Sequence, residues 1–176
     1  MATALDGLTI RESTPADVPA LAANLVAGLA GYASFQPPDW APTSVEHEAE
    51  TMVRRIAAPD SWKRVALDGD DVAGQVLFEP ARDLDETAHL ANLFVSPAWW
   101  GTGLAVHLLG LAVTEMRRRG FAWGRLYTPE QQVRARRFYE REGWRVIGEP
   151  TFEPALGMTL VQYRLALGPP PGGDAG

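Results

Sequence analysis

The chain has 176 residues, the length of one domain, and its 46% hydrophobic content suffices for a single core; one domain is expected over residues 1–167, with a disordered Pro/Gly-rich tail over 168–176. The absence of cysteine excludes a disulfide framework, a thiolate metal site and a cysteine nucleophile, so no metal site is read and chemistry must come from acids, bases and backbone dipoles. A net charge of −6 argues against nucleic acid as a partner; with no apolar run near the roughly 18 residues of a bilayer span and no signal-peptide pattern, no membrane partner and a cytoplasmic setting are expected.

In chain order, a short strand over residues 8–11 leads to Thr14, an N-cap with Pro15 in the first helical position and Asp17 in the first turn. Val18, Leu21, Leu25, Val26 and Leu29 then recur at helical spacing. Residues 31–42 hold too much Pro and Gly for regular structure, yet carry Tyr32, Phe35 and Trp40. A second helix puts Val45, Ala49, Met52, Val53 and Ile56 on one face and leaves His47 off it, in solvent. Strands over 64–67 and 72–78 flank the hairpin signal Asp68-Gly69-Asp70-Asp71.

After a polar loop with Asp83, Asp85 and Glu86, a strand over 89–95 runs toward two glycines and a third helix. That helix shows Leu104, Leu108 and Leu111 on one face and ends at Arg117-Arg118-Arg119-Gly120, cations and a glycine suited to a helix C-terminus. A strand over 121–127, a fourth helix starting at Pro129 and strands near 144–147 and 158–166 complete the order. Such a sequence of elements implies an α+β fold whose sheet has antiparallel and parallel portions.

The most informative segment is the apolar strand ending Leu93-Phe94-Val95, followed by Trp100-Gly101-Thr102-Gly103-Leu104-Ala105 at the helix start. Glycines leave no Cβ in the way of a close ligand, and unpaired first-turn amides backed by the helix dipole suit an anion. Three readings fit. The plainest is a strand-turn-helix joint in which glycine only eases the turn. A dinucleotide fingerprint needs a third glycine where this chain has Val106, and an acidic residue about 20 positions on. The third is an acyl-CoA loop of the pattern Arg or Gln, two residues, Gly, one residue, Gly or Ala; Gly103 and Ala105 match it, with Trp100 in the Arg/Gln position.

Together with Ala135, Tyr139, Gly143 and Trp144, which match a second signature, and the opening strand followed by Thr14-Pro15-Ala16-Asp17, this loop resembles the GNAT superfamily of N-acetyltransferases over residues 8–166. The resemblance implies a GNAT-like mixed antiparallel and parallel sheet flanked by helices. It implies acetyl-CoA as co-substrate and transfer of an acetyl group to a primary amine of a small molecule or a peptide N-terminus. A non-catalytic acyl-CoA sensor or interaction module on the same fold is the alternative, and a homodimer is compatible with either.

Cofactor contacts are expected from Leu93, Phe94 and Val95 through a splayed strand edge, from Trp100, Gly101, Thr102, Gly103, Leu104 and Ala105 through the loop, and from Gln132 and Arg136 on the fourth helix. Tyr139 shares a face with Gln132 and Arg136, and the resemblance gives a tyrosine there the role of general acid toward the leaving thiolate. The family has no fixed base. His89, whose ordinary pKa near 6.5 suits proton removal at neutral pH, is the first candidate and Glu79 the second. Tyr32, Phe35 and Trp40 are expected to wall the acceptor pocket, beside Asp39 and the acidic 83–86 loop.

Overall fold

The structure is a computed structural model that describes residues 5–168; the expected tail, Gly168 apart, lies outside the described residues. Seven strands, β1 (Thr9–Glu12), β2 (Trp62–Asp68), β3 (Asp71–Pro80), β4 (Thr87–Val95), β5 (Trp123–Pro129), β6 (Arg145–Glu153) and β7 (Met158–Ala166), form one sheet in the order β1-β2-β3-β4-β5-β7-β6. Four helices flank it: α1 (Val18–Ala30), α2 (Val45–Ala57), α3 (Leu104–Arg118) and α4 (Val133–Arg141). Every strand pairing is antiparallel except that of β4 with β5. The mixed α+β sheet expected from the element order is therefore present.

Periodicity explains the layers. Val18, Leu21, Ala22 and Leu25 of α1 meet Met52 and Ile56 of α2 over Val65 of the sheet, while Leu104, Leu108, Ala112 and Met116 of α3 cover a second cluster with Phe78, Trp144 and Tyr163. Contrary to the expectation that no apolar run approaches a bilayer span, the helical run Pro15–Ser34 is apolar and long enough by composition to cross one; four of its residues lie in the α1–α2 core. Asp17 accepts from the Thr14 amide and pairs with Arg11 at 2.8 Å, and that guanidinium holds its carboxyl down at about 2.

Local rules mislead at four places. Pro15–Asp17 forms a 3-10 turn, with α1 starting at Val18. A second 3-10 turn, Gly31–Ser34, occupies part of the stretch expected to be irregular. Pro129 does not begin α4; it ends β5, paired with Leu160, where a missing N–H costs nothing further along the ladder. Val53, expected on the buried face of α2, is 51% exposed, whereas His47 is exposed as expected.

Gly124 on β5 sits under the fully buried Trp144: a Cβ there would come within 2.8 Å of the indole Cη2. Gly124→Ala is thus expected to destabilise the protein by about 1–3 kcal/mol, the usual cost of overpacking, and to lower the thermal midpoint by about 2–4 °C per kcal/mol. A midpoint within 1 °C of wild type, or about 0.3–0.5 kcal/mol, would show that the indole yields freely.

Candidate functional site

The site begins where the sheet comes apart. β4 pairs in parallel with β5 only at Thr87–Trp123, Ala88–Gly124 and His89–Arg125. Just beyond, Leu77 of β3 faces Asn92 while Phe78 faces Leu90, so Ala91 is the extra residue of a β-bulge that bends β4 away. The Ser96 amide donates to the Ala73 carbonyl at 2.9 Å, on the β3 side. Alternation along the strand then turns the amides of Leu93 and Val95 the other way, into the gap. The Val95 carbonyl obeys the same alternation and accepts the Trp100 indole N–H at 2.9 Å.

At the open end of the gap lies the glycine loop. Gly101 (φ 78°) and Gly103 (φ 90°) both occupy the left-handed region, and a Cβ on either would meet no heavy atom within 4 Å. Backbone conformation therefore demands glycine there, and the space beside it stays open. The amides of Gly101, Gly103, Ala105 and Val106 donate to nothing among the described residues, four N–H groups gathered at the positive end of α3. Trp100 holds the position where a basic or amide side chain was expected, and the Arg134 guanidinium from α4 lies 4.0 Å over its ring. A cation from another element thus stands beside the loop.

Between α1, β4, β5 and α4 runs a cavity of about 400 Å³ whose walls include Tyr32, Trp40, His89, Leu93, Phe94 and Tyr139. Trp40 donates its indole N–H to the Leu156 carbonyl at 3.0 Å and so ties the α1–α2 connection to the β6–β7 turn. Phe35 does not line the cavity; its ring packs on Tyr32 at 5.4 Å. Tyr139 is held by edge contacts with Phe138 and Trp144, its hydroxyl makes no hydrogen bond among the described residues, and burial pushes its phenol up. Burial likewise raises Tyr32, opposed by the Gln132 side chain facing its hydroxyl.

The remaining candidates separate. His89 borders the cavity with a buried Nδ1 that has no partner among the described residues. Burial, aided by the Arg125 and Arg55 charges, pushes it down to about 4. Glu79 does not border the cavity; it faces Arg55, 3.8 Å from Nε, in an adjoining basin. Arg136 is committed internally, donating to the Tyr163 hydroxyl at 3.1 Å and the Glu130 carbonyl at 3.0 Å. Glu48 of α2, unremarked in the sequence, lines the cavity and accepts from the Thr43 hydroxyl.

The His89 shift has a thermodynamic sign. The unfolded chain binds a proton near pH 6.5 that the folded chain refuses until about 4, so stability is full above 6.5 and falls as pH drops toward 4. The loss expected is about 3 kcal/mol at 1.36 kcal/mol per unit. Thermal melts at pH 7 and 4.5 on wild type and His89→Gln check it: an equal drop in both proteins would refute the attribution to His89.

A family model described as acetyltransferase (GNAT) family matches residues 32–144. No curated protein matches the chain. Among solved structures, an acetyltransferase of the GNAT family from Staphylococcus aureus superposes with a TM-score of 0.73 at 14% identity, covering 92% of this chain and 99% of that one. The PaiA N-acetyltransferase of Thermoplasma acidophilum in complex with coenzyme A gives 0.69 at 18% identity over 88% of this chain and 97% of that one. The ribosomal-protein-S18-alanine N-acetyltransferase of Escherichia coli gives 0.67 at 19% identity over 91% and 94%.

Proposed function

The chain belongs to the acetyltransferase (GNAT) family, and on that premise we propose that it transfers the acetyl group of acetyl-CoA to a primary amine by direct attack, with Tyr139 as general acid. The observation that carries this reading is that the edge of β4 beyond its bulge and Tyr139 border one cavity, while the glycine loop follows directly from the end of the same strand. Solved relatives of this fold have been crystallised with coenzyme A, which fits a gap of this kind.

Each group then has one task. The amides of Gly101, Gly103, Ala105 and Val106, with Arg134 over Trp100, hold the pyrophosphate. The Leu93 and Val95 amides, turned into the gap, hydrogen-bond the pantetheine arm and polarise the thioester carbonyl. As the amine nitrogen bonds to the carbonyl carbon and the carbon–sulfur bond breaks, the Tyr139 O–H donates to sulfur. A phenol is already a weaker acid than a thiol and burial weakens this one further, so it keeps its proton through the working pH range and yields it only late in cleavage, as negative charge gathers on sulfur. His89, the first candidate base, is held down to about 4 with its Nδ1 buried and is too weak a base to take a proton from an ammonium, so the amine attacks in its neutral form and the proton it sheds passes to solvent.

Titration calorimetry with acetyl-CoA, followed by a thiol-release screen over small primary amines, amino acids and peptide N-termini, tests the proposal. Binding with turnover is expected. Binding without turnover by any amine would turn the reading to an acyl-CoA sensor, and failure to bind would end it.

A further inference from the structure

The reaction cavity does not end at Glu48 and His89. Arg55 borders it and also borders a second concavity of about 490 Å³, open to solvent, lined by Thr51, Arg54, Arg55, Ala58, Glu79 and Arg82. Arg54 and Arg55 come from the last turn of α2, and Arg82 from the β3–β4 connection. Three guanidinium groups thus face one carboxylate in a chain whose net charge is −6.

They are weakly engaged. Arg55 meets Glu79 only at 3.8 Å, beyond hydrogen-bond length, and its terminal nitrogens donate to nothing among the described residues. Arg54 gives one long bond, 3.3 Å, to the Thr51 hydroxyl. Arg82 makes no hydrogen bond or ion pair among the described residues. A helix C-terminus attracts cations and would account for Arg54 and Arg55 alone. It does not bring Arg82 from another element to the same concavity, nor put Arg55 close enough to the cavity for its charge to act on His89.

Resting on the transfer reading above, we propose that the acceptor is a small amine that also bears an oxyanion, a carboxylate or a phosphate, bound by Arg55 at the junction of the two concavities with Arg54 and Arg82 behind it. A guanidinium whose two terminal nitrogens are free among the described residues, as in Arg55, matches the planar, two-oxygen geometry of such groups. Glu48, seven residues before Arg55 on the same helix, presents a carboxylate to the cavity and attracts the ammonium end before deprotonation. In the acidic loop expected beside the acceptor pocket, Asp83 is already engaged: both its carboxylate oxygens accept from Arg125 Nη1, at 2.7 and 2.8 Å.

Matched pairs that differ only in the anion test it: glycine against glycinamide, glutamate against glutamine, phosphoethanolamine against ethanolamine. Thiol release is followed after acetyl-CoA binding has been measured by calorimetry. At least one anionic member should exceed its neutral partner about tenfold or more in kcat/KM, and the pair showing this identifies carboxylate or phosphate. Arg55→Gln should bring that ratio toward one, chiefly through KM, with Arg55→Lys restoring part of it. Arg82→Gln, at an exposed position in the β3–β4 connection, should reduce the ratio less. If acetyl-CoA fails to bind, the transfer reading itself falls. If it binds and neutral members react as fast as anionic ones, if no member of the panel reacts, or if the ratio survives both Arg55→Gln and Arg82→Gln, the oxyanion proposal is overturned while the family assignment stands.

Discussion

Tyr139→Phe is expected to slow acetyl transfer by about 10²-fold or more while leaving acetyl-CoA affinity within about twofold of wild type, as befits a group acting by general acid catalysis. The substitution keeps the ring, and with it the contacts to Phe138, Trp144 and Tyr163 at 5.2–6.1 Å, so the core should survive. Only the hydroxyl goes, and that hydroxyl has no partner among the described residues whose loss could be mistaken for chemistry. Affinity should hold because hydrogen bonding to sulfur matters most as charge develops there. Turnover within about twofold of wild type, measured where chemistry limits the rate, would make Tyr139 a core residue and nothing more.

Gly103→Val is expected to weaken acetyl-CoA binding by about 10²-fold or more, a difference near 2.7 kcal/mol. Open space around this glycine means that no neighbouring atom forbids a side chain. The obstacle is φ at 90°, which a β-branched residue leaves by rotating the backbone, and the amides of Gly103, Ala105 and Val106 then no longer converge. Gly120, at the far end of α3, has φ at 81° and equally open surroundings, so Gly120→Val carries like strain without touching the loop. Calorimetry on both variants, with circular dichroism to confirm folding, separates a local loss of aim from general destabilisation. Equal binding by the two would remove the phosphate role from the loop.

What could be read from the sequence was what is encoded within one element or one turn. The strand, glycine pair and α3 follow one another in immediate succession, and the hairpin signal between β2 and β3 and the helical spacing of α1 and α3 need no distant partner to be seen. Residues 148–153 went unread as strand because Gly148 and Pro150 look like loop; β6 continues through them only because β7 offers a ladder, with the register slipping between Ile147 and Thr151. Site residues brought together from separate elements were the least legible. Arg134 reaches Trp100 from another helix, Arg55 brings its charge to bear on His89 from α2, and the bulge at Ala91 depends on pairing that no single strand reveals. Glu79 follows the same logic: its place in the chain put it beside His89, and strand pairing indeed sets the two opposite each other, yet its side chain finds Arg55.

Within the sheet, three residue pairs join β1–β4 to β5–β7 among the described residues, while the core under α3 bridges the two halves on one face. The molecule is in that respect two half-sheets bound along a short spine, like the covers of a book, with the cavity where the pages would be. A compound lodged between the covers touches both and is released when they part, so its binding energy is added to the spine's own. At a hundredfold excess over the dissociation constant that addition is about 2.7 kcal/mol, comparable to the cost of a damaging core substitution. Survival of the fold and occupancy of the gap are then one equilibrium, and the protein's resistance to heat becomes a gauge of how much cofactor surrounds it.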